Sequence, residues 1–477
     1  MKMSLSSFVG QVSLEAKASR QLDFGFRSPD ALPRKFIDGL LAYQIPAVFY
    51  NAKSISKFGS AVDASDTGTG KTYTAAAVAR ILGLKPFVVC PKTVIPDWLH
   101  VLKKFKLEVH GVMGYEKLRA GNTPFLKWNK KDEDFVWNLP NDVLLIIDEA
   151  HRCKAQDSQN SKMMVAARRQ GLYMLPMSAT LATTPLEMRA VGYVLGLHNL
   201  TNYFKWARDH GAETNEWGGL SFDAQDARNK AILFSLHKQI FPARGYRVRI
   251  DELGDQFPET QISTLAVGLN GSTAKLNKVY DEMFEAIANL NDRVANYGSS
   301  RFAIMLEARQ RAELLKAPAY EELALDALED RHSVCLFVNF TPTLDLLIER
   351  LSKKKGLGIS RIDGSQKGDE RELSIAEFQA NRNRVIVCNI QAGGTGTNLH
   401  DLSGDHPRFS IISPNYSAVQ LKQVFGRPWR QGGKSKSIQK IVFAAETIEE
   451  QACEAVRRKI GNLNLLNDGD LTAGINF

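Results

Sequence analysis

A glycine-rich segment near residue 70 contains the residue types that bind nucleotide phosphates. It reads ASDTGTGKTYTAAAVARIL and follows the short apolar stretch SAVDA. Gly68 and Gly70 allow a turn that directs consecutive N–H groups at phosphate oxygens, and the helix N-terminus adds its positive end. Lys71 is placed to reach the β- and γ-phosphates, and the Thr72 hydroxyl to ligate Mg²⁺. We expect six residues to bind a nucleoside triphosphate: Thr67, Gly68, Thr69, Gly70, Lys71 and Thr72.

Two carboxylates at the end of an apolar run provide the second part of a hydrolytic site. The segment VLLIIDEAH reads as a buried strand that ends in Asp148 and Glu149. Ligands of parallel sheets bind at the carboxyl ends of the strands. Asp148 suits the Mg²⁺ site, and Glu149 is placed to orient or deprotonate the water that attacks the γ-phosphate. The sequence therefore predicts an ATPase whose Mg²⁺ is bound by Thr72 and Asp148.

A pair of arginines far along the chain completes this interpretation. In QVFGRPWRQGG, residues 423–433, Arg427 and Arg430 are three positions apart. An arginine directed at the γ-phosphate can raise the rate of phosphoryl transfer by ~10³–10⁵. We expect both arginines to be the catalytic contribution of a second lobe, with Gln423 as a nearby polar contact. Hydrolysis would then depend on closure of the cleft between the lobes.

A second glycine-rich segment, QAGGTGTNLH at residues 391–400, is expected to act in the same cleft. Its glycines let the backbone approach a ligand, so Gly394 and Gly396 are candidate nucleotide contacts. The side chains of Thr395 and Asn398 can hydrogen-bond to phosphate, and we expect both to contact the nucleic acid. No Lys-Ser or Lys-Thr pair follows these glycines, so the segment does not predict a second ATP site.

The elements that must position these residues are short apolar runs between longer helical patterns. Continuous apolar strands are typical of parallel sheets covered by helices on both faces. The sequence therefore predicts an α/β fold with two doubly wound parallel-sheet lobes and helical insertions. The runs are Pro86–Cys90, Val143–Asp148 and Leu172–Thr180 in the first half, and Val334–Phe340, Ile359–Asp363, Arg384–Asn389, Phe409–Ser413 and Ile438–Phe443 in the second.

The expected boundaries follow from changes in composition. Residues 1–34 form an N-terminal extension, 35–244 the first lobe with the ATP site, and 261–477 the second lobe. The polar stretch 245–260, with its glycines and proline, reads as the linker. A helical segment over 272–331 lies in the second lobe. One of its faces is expected in the core and consists of Leu276, Val279, Met283, Ile287 and Leu290.

Composition limits the function classes. The chain has 477 residues, 44% hydrophobic and 24% charged, and no apolar run long enough to span a membrane. Its five cysteines have no spacing typical of zinc sites or disulfide frameworks, and no secretory signal is recognisable. These features indicate an intracellular protein, cytoplasmic or nuclear, or in the host cell for a virus. The net charge of +9 aids solubility or indicates a polyanionic partner.

With the DEAH sequence at residues 148–151, the chain resembles the superfamily-two helicases and translocases, in which two RecA-like lobes bind ATP between them and move along nucleic acid. The resemblance covers about residues 35 to 460. It implies that Gln44, in AYQ, reads adenine, and that Lys92 and Thr93, in VVCPKTVIPDW, contact nucleic acid. It also implies that His151 of DEAH and the SAT triplet couple hydrolysis to lobe movement, the triplet being Ser178, Ala179 and Thr180. Trp98 is interpreted as packed against its helix instead of stacked on a base.

The second half is most similar to the Swi/Snf-type branch of double-stranded DNA translocases. The similarity lies in RIDGSQKGDERELSIAEFQ before AGGTGTNL, in ETIEEQ after the arginines, and in the basic connector RVRIDELGDQFPE. Some positions differ from the usual patterns: Ser65 stands where the phosphate loop commonly begins with glycine, Pro428 and Trp429 replace a small residue and a histidine, and Gly433 replaces a glutamine. These differences leave the ATPase prediction intact and weaken the branch assignment.

Three functions remain open from the sequence. The favoured one is a monomeric ATP-driven motor on nucleic acid, with double-stranded DNA as the expected partner, that remodels DNA or protein–DNA complexes. The second is a helicase that separates, branch-migrates or anneals strands of DNA or RNA. The third is an ATP-gated clamp on nucleic acid with little translocation; the intact set of Glu149, Arg427 and Arg430 favours turnover over this alternative.

Overall fold

Two parallel sheets organise the chain, and each belongs to a separate unit. The division falls between Gly254 and Asp255 in the computed structural model. The structure describes residues 22–215, 218–223, 226–253, 260–269, 271–290, 297–366, 368–393, 397–415, 417–430 and 432–450.

The first unit contains a six-stranded sheet in the order β10-β1-β7-β6-β2-β3, and every neighbouring pair is parallel. Two small antiparallel hairpins, β4–β5 and β8–β9, accompany it. The strands are β1 Val62–Asp63, β2 Lys85–Cys90, β3 Gly111–Gly114, β4 Leu126–Asn129, β5 Asp134–Trp137, β6 Val143–Asp148, β7 Tyr173–Met177, β8 Glu213–Thr214, β9 Leu220–Ser221 and β10 Gly245–Tyr246.

Helices cover both faces of this sheet. Along β6, Leu145 and Ile147 pack into one hydrophobic cluster, whereas Leu144 and Ile146 pack into another. Because successive strand residues point to opposite faces, this alternation requires apolar cover on each side. The α-helices of the unit are Arg34–Ile37, Gln44–Phe58, Lys71–Leu82, Ile95–Lys104, Tyr115–Arg119, Gln159–Arg169, Arg189–Val194, Tyr203–Asp209 and Ala227–Ile240.

Residues at both ends of the first unit pack with it, although the sequence places them in the N-terminal extension and in the linker. Within the expected extension 1–34, residues 1–21 lie outside the described part, while Phe24 and Phe26 pack against the hydrophobic cluster of the helix Gln44–Phe58. Of the expected linker 245–260, Gly245 and Tyr246 form strand β10 of the first sheet. A Cβ at Gly245 would lie 2.1 Å from the Val62 carbonyl oxygen, so this close pairing requires glycine.

The second unit contains another six-stranded sheet, in the order β11-β16-β15-β12-β14-β13, again parallel throughout. Its strands are β11 Thr260–Val267, β12 Ser333–Val338, β13 Ile359–Ile362, β14 Val385–Asn389, β15 Arg408–Ile412 and β16 Ser437–Ala444. Its helices are Thr273–Ala288, Tyr297–Leu315, Ala317–Glu329, Thr341–Ser352, Gly368–Gln379, Ile390–Gly393 and Ala418–Phe425. The prediction of two parallel-sheet α/β lobes is confirmed, and all eight apolar runs contain strands.

The helical segment expected over 272–331 consists of three helices packed beside the second sheet. Leu276, Val279 and Met283 are buried there, as their spacing predicts, whereas Ile287 and Leu290, nearer the end of the face, are only partly buried. A buried ion pair holds the segment to the end of the unit, because Lys316 Nζ lies 2.7 and 2.8 Å from the two carboxylate oxygens of Glu449. Among the described helices, none is both long and apolar enough to cross a membrane.

Candidate ATP site and its second-unit counterpart

The phosphate loop turns sharply immediately before the helix Lys71–Leu82. Gly68 and Gly70 have φ angles of +93° and +81°, a region in which side chains are rarely tolerated. Gly70 is the N-cap of the helix and contributes no side chain to its first turn. The first N–H groups of a helix have no i−4 partner within it and can bind phosphate oxygens. Here the N–H of Tyr73 already donates to the Gly70 carbonyl at 2.9 Å, so those of Gly70, Lys71 and Thr72 are the candidates.

Gln44 holds the phosphate loop directly. Its Nε2 donates to the Thr69 carbonyl at 2.8 Å, and its Oε1 accepts from the backbone N–H of Leu41 at 2.9 Å. A Cβ at Gly70 would lie only 2.3 Å from Gln44 Nε2, so any residue other than glycine at position 70 would clash with the Gln44 side chain. Contact with adenine stays a prediction for this glutamine, whose position at the loop is compatible with it.

Lys71 folds back over the loop that precedes it. Its Nζ donates to the carbonyl oxygens of Ser65 at 2.8 Å and Asp66 at 3.1 Å. Burial lowers the pKa of Lys71, and nearby carboxylates, with Glu149 the strongest, oppose that shift. A triphosphate offers this ammonium group more negative oxygens than two neutral carbonyls do, so Lys71 can exchange these contacts for phosphate.

Asp148 ends strand β6 and is fixed by its neighbours. Its Oδ2 accepts from the Trp98 indole Nε1 at 2.9 Å, and its Oδ1 accepts from the N–H of Glu149 at 3.0 Å. Burial raises the pKa of Asp148 to about 6, assisted by the Glu149 charge and opposed by the Trp98 hydrogen bond and Lys71. Mg²⁺ takes oxygen ligands and usually keeps several waters beside one or two protein ligands and substrate phosphates. The Asp148 carboxylate and the Thr72 hydroxyl, at the start of the loop's helix, fit this chemistry.

Glu149 is the first member of a polar chain that reaches the segment after strand β7. It has a φ of +57°, a strained conformation for a residue other than glycine. His151 Nδ1 lies 3.2 Å from Glu149 Oε2 and 3.2 Å from Ser178 Oγ. Ser178 Oγ also accepts from the N–H of Thr180 at 3.1 Å. The structure therefore brings together the predicted hydrolytic and coupling residues; Ala179 is buried within this segment.

Asp63 is a buried carboxylate at this site that the sequence analysis did not identify. It ends strand β1, and its Oδ1 accepts from the N–H of Ser65 at 3.0 Å. Its Oδ2 has no hydrogen-bond partner among the described residues, and burial raises its pKa. The only signal in the sequence is an aspartate inside the apolar stretch SAVDA directly before the loop.

Lys92 and Thr93 are exposed on the short 3-10 helix Lys92–Val94, which follows the carboxyl end of β2. Contact with nucleic acid stays a prediction for both, and their exposure is compatible with it. Trp98, five residues further, is 1% exposed. The interpretation of Trp98 as a packed residue is confirmed, but its hydrogen bond to Asp148 was not foreseen.

In the second unit, Arg427 and Arg430 differ in their surroundings. Arg427 is 2% exposed, and its Nη1 donates to the Thr397 carbonyl at 3.3 Å. Its own carbonyl accepts from the N–H of Leu399 at 3.0 Å, so it joins the two predicted motifs of this unit. Arg430 is only partly buried, and its Nε donates to the Gly426 carbonyl at 3.1 Å. Gln423 is buried on the helix that leads to them.

The glycine-rich segment of the second unit is only partly described. Gly394, Thr395 and Gly396 lie outside the described residues, and Asn398 is exposed. A cluster of asparagines at strand ends was missed by the sequence analysis. Asn339 Oδ1 accepts from Asn415 Nδ2 at 2.6 Å, and the Asn339 carbonyl accepts from Asn389 Nδ2 at 3.1 Å. Asn339 follows β12, Asn389 ends β14, and Asn415 lies just after β15. Ligands of parallel sheets bind at these strand ends.

Comparisons with known families match both units. A model described as the type III restriction enzyme res subunit matches residues 39–183. A model described as the helicase conserved C-terminal domain matches residues 316–432. The first range contains the phosphate loop, Asp148 and Glu149, and the second contains Arg427 and Arg430.

Among curated relatives, a protein of Acanthamoeba polyphaga mimivirus described as a candidate ATP-dependent RNA helicase is 32% identical over 458 residues, which cover 91% of this chain and 84% of that protein. A CHD3-type chromatin-remodeling factor of Arabidopsis thaliana is 23% identical over 91% of this chain, which spans 38% of its length. An ISWI chromatin-remodeling complex ATPase of the same plant is 26% identical over a match that covers 70% of this chain and 34% of the plant protein.

A solved structure, the Sulfolobus solfataricus SWI2/SNF2 ATPase core in complex with double-stranded DNA, is 16% identical and covers 90% of this chain and 93% of that one, with a TM-score of 0.35. The identity and coverage of the mimivirus relative, together with the two family models, decide the assignment. The chain therefore belongs to the superfamily-two helicases, and it is an ATP-hydrolysing enzyme.

Proposed function

We propose that this enzyme uses ATP hydrolysis to translocate on double-stranded DNA and thereby remodels DNA or protein–DNA complexes. The observation that carries the proposal is the polar chain from Glu149 through His151 to Ser178 and Thr180. A simple ATPase needs only the first of these residues. A motor needs a connection through which a change at the γ-phosphate alters the protein around it.

The reaction at the first unit follows from its side chains. Lys71 binds the β- and γ-phosphates, while Thr72 and Asp148 would hold Mg²⁺, which would supply positive charge to the phosphate oxygens when bound. Glu149 orients the attacking water and accepts its proton. Release of the γ-phosphate removes a charge beside Glu149, and His151 transmits the changed position of that carboxylate to Ser178. In this proposal Arg427 and Arg430 bind the transferred phosphoryl group.

Two observations support DNA as the polymer. The net charge of +9 favours a phosphate backbone, and several relatives at 22–26% identity are named as chromatin-remodelling proteins. This chain spans only about a third of the length of those relatives, from 31% to 38% in these three, so their targets are part of the proposal here. The name of the mimivirus relative favours a second candidate, an RNA helicase that separates strands.

A comparison of polymers tests the proposal. The ATPase rate of the full chain is measured without polymer and with duplex DNA, single-stranded DNA or RNA. We expect the largest stimulation with duplex DNA, and displacement of the third strand from a DNA triplex without separation of the duplex. Stimulation by RNA alone, together with unwinding of an RNA duplex, would establish the second candidate. Binding of a polymer without a change in ATP turnover would indicate a clamp.

A further inference from the structure

The chain segment that leaves the first unit is bonded to the beginning of the phosphate loop. Parallel backbone pairing continues beyond β1 and β10, because Ala64 N donates to the Tyr246 carbonyl and Asp66 N donates to the Val248 carbonyl, both at 2.9 Å. The pairing therefore extends two residues into the loop that receives the triphosphate.

Side chains strengthen the attachment at the two positions that begin the loop. Ser65 Oγ accepts from the N–H of Val248 at 3.0 Å. Asp66 accepts from Arg247 Nη2 at 2.9 Å through one carboxylate oxygen and from the N–H of Ile250 at 3.1 Å through the other. Arg247 Nη1 also donates to the Ala64 carbonyl. Glycine at position 65 would offer no hydroxyl, so the unusual Ser65 has a role in this attachment.

The ion pair between Arg247 and Asp66 is shielded from water. The Arg247 side chain is 5% exposed and that of Asp66 is 18% exposed. Charge-assisted hydrogen bonds in such surroundings are stronger than surface ion pairs, and loss of one partner leaves the other charge buried. Single substitutions here should therefore have effects well above those of exposed pairs.

The same residues contact the phosphate-binding lysine. Lys71 Nζ donates to the carbonyl oxygens of Ser65 and Asp66, so the attached part of the loop also sets the resting position of Lys71. From Ile250 the chain reaches Thr260, the first residue of β11 in the second unit, within ten positions. The connector and the nucleotide loop thus share one hydrogen-bonded element.

We propose that Arg247 is a positioning residue for nucleotide binding: through Asp66 it holds the phosphate loop in its binding shape and joins that loop to the connector between the units. This inference deepens the proposed function. It rests on that function only for the expected change in DNA stimulation, because the expected change in ATP affinity depends on residues of the first unit alone.

A double-mutant cycle tests the inference in the full chain. Arg247→Gln removes the charge and the fork, whereas Asp66→Asn keeps the shape but replaces one acceptor oxygen by a donor. We expect each to weaken binding of a fluorescent ATP analogue with Mg²⁺ about tenfold, the order expected for a shielded charge-assisted bond. The double variant should also be weakened about tenfold instead of a hundredfold, because both changes remove the same contact. Duplex DNA should stimulate the ATPase of both variants less than that of the original chain.

Arg249→Gln is the matched control, because it removes the same charge from the same segment but from a residue that pairs with Glu252 in the connector itself. Its nucleotide affinity should stay within twofold of the original. If Arg247→Gln does not fold, Arg247→Lys keeps the charge without bridging Asp66 and Ala64 together, and the same loss of affinity is expected.

Equal affinities for the ATP analogue in the original chain, Asp66→Asn and Arg247→Lys would overturn the inference. A double variant whose affinity loss equals the product of the two single losses would also overturn it. A lower melting temperature with unchanged nucleotide affinity would assign the pair a purely structural role and would likewise overturn it. If no polymer stimulates the original chain, the proposed function fails, yet the affinity cycle still decides the role of Arg247.

Discussion

The indole nitrogen of Trp98 donates a hydrogen bond to Oδ2 of Asp148 over 2.9 Å. Trp98 lies on the helix Ile95–Lys104, which directly follows the short 3-10 helix with the candidate nucleic-acid contacts Lys92 and Thr93. Asp148 is the carboxylate assigned to Mg²⁺. The bond therefore joins the element expected to contact the polymer to the element expected to hold the metal, entirely within the first unit.

Replacing Trp98 by phenylalanine should raise the Mg²⁺ requirement of the ATPase. Phenylalanine keeps most of the buried packing but removes the donor that fixes Asp148 Oδ2, and one such bond contributes about 1 kcal/mol. We expect about a fivefold higher Mg²⁺ concentration for half-maximal rate at saturating ATP and DNA. Mg²⁺-dependent binding of the fluorescent ATP analogue should shift in parallel.

Trp137→Phe is a suitable control for that measurement. Trp137 is also buried, and its Nε1 also donates a hydrogen bond of 2.9 Å. The acceptor is the Met163 carbonyl in the helix Gln159–Arg169 and not Asp148. Both substitutions remove one indole hydrogen bond from the first unit. A similar Mg²⁺ shift in the two variants would show that general loosening, and not the bond to Asp148, is responsible.

Glu149→Gln should abolish ATP turnover while ATP still binds. Glutamine has the size of glutamate and keeps a polar contact with His151, but it cannot accept the proton of the attacking water. General base catalysis contributes ~10²–10⁴ to a rate, so we expect a loss of at least a hundredfold in single-turnover hydrolysis. Glu116→Gln, which alters an exposed carboxylate paired with Arg152, should leave the rate unchanged. Turnover above one tenth of the original in Glu149→Gln would contradict the assignment of the base.

The extent to which sequence predicts this molecule depends on how local each feature is. Gly68, Gly70 and Lys71 lie in one contiguous segment whose turn and helix are set by neighbouring residues, so their arrangement follows from the motif. The continuous apolar runs likewise predict the buried strands. Strand β11 was not predicted, because it is a half-buried edge strand whose side chains do not follow a continuous apolar run.

Contacts between distant segments were beyond the reach of sequence patterns. Arg247 and Asp66 are separated by 181 positions, and the pairing that joins them depends on β10 lying beside β1. In the same way, Asn339 and Asn415 meet only because β12 and β15 are neighbours in the second sheet. A polar residue in a connector or after a strand has no distinctive spacing, so such residues read as ordinary loop positions until the topology is known.

The two arginines of the second unit should respond differently to replacement by alanine. Arg430 is only partly buried, and its Nε donates to the nearby Gly426 carbonyl, so Arg430→Ala should cost the unit less stability than truncation of the fully buried Arg427. If it contacts the transferred phosphoryl group, its loss should lower the DNA-stimulated rate by ~10³ with little change in ATP affinity. An unchanged rate would remove Arg430 from the catalytic set.

Arg427→Ala should combine a catalytic and a structural defect. Its side chain is 2% exposed and donates to the Thr397 carbonyl, so truncation leaves a buried acceptor and a cavity. We expect a loss of ~1–3 kcal/mol in the unfolding free energy of the second unit, together with a lower DNA-stimulated rate. Hydrogen exchange of the second sheet separates the two effects, since Arg427→Ala should lower the protection of the sheet more than Arg430→Ala does.

His400 should make the second unit sensitive to acid. Burial lowers its pKa to about 4, and the charges of Arg430 and Arg408 act in the same direction, while Asp401 opposes them. In the unfolded chain a histidine titrates near 6.5. Between these values the unfolded state binds more protons, so the unfolding free energy falls as pH decreases from about 6.5 towards 4. The neutral histidine thus contributes stability that is fully present above the unfolded value.

Replacing His400 by glutamine should therefore flatten the pH dependence of the second unit. We expect the difference between pH 7 and pH 4 to shrink by ~2 kcal/mol, somewhat below the full linkage value because the ring retains contact with solvent at its edge. The measurement is amide exchange of β12 and β14, which reports this unit separately from the first. An identical slope in the original chain and in His400→Gln would mean that His400 is not kept neutral by its burial and by the charges of Arg430 and Arg408, and that the acid response arises from the carboxylates of the unit.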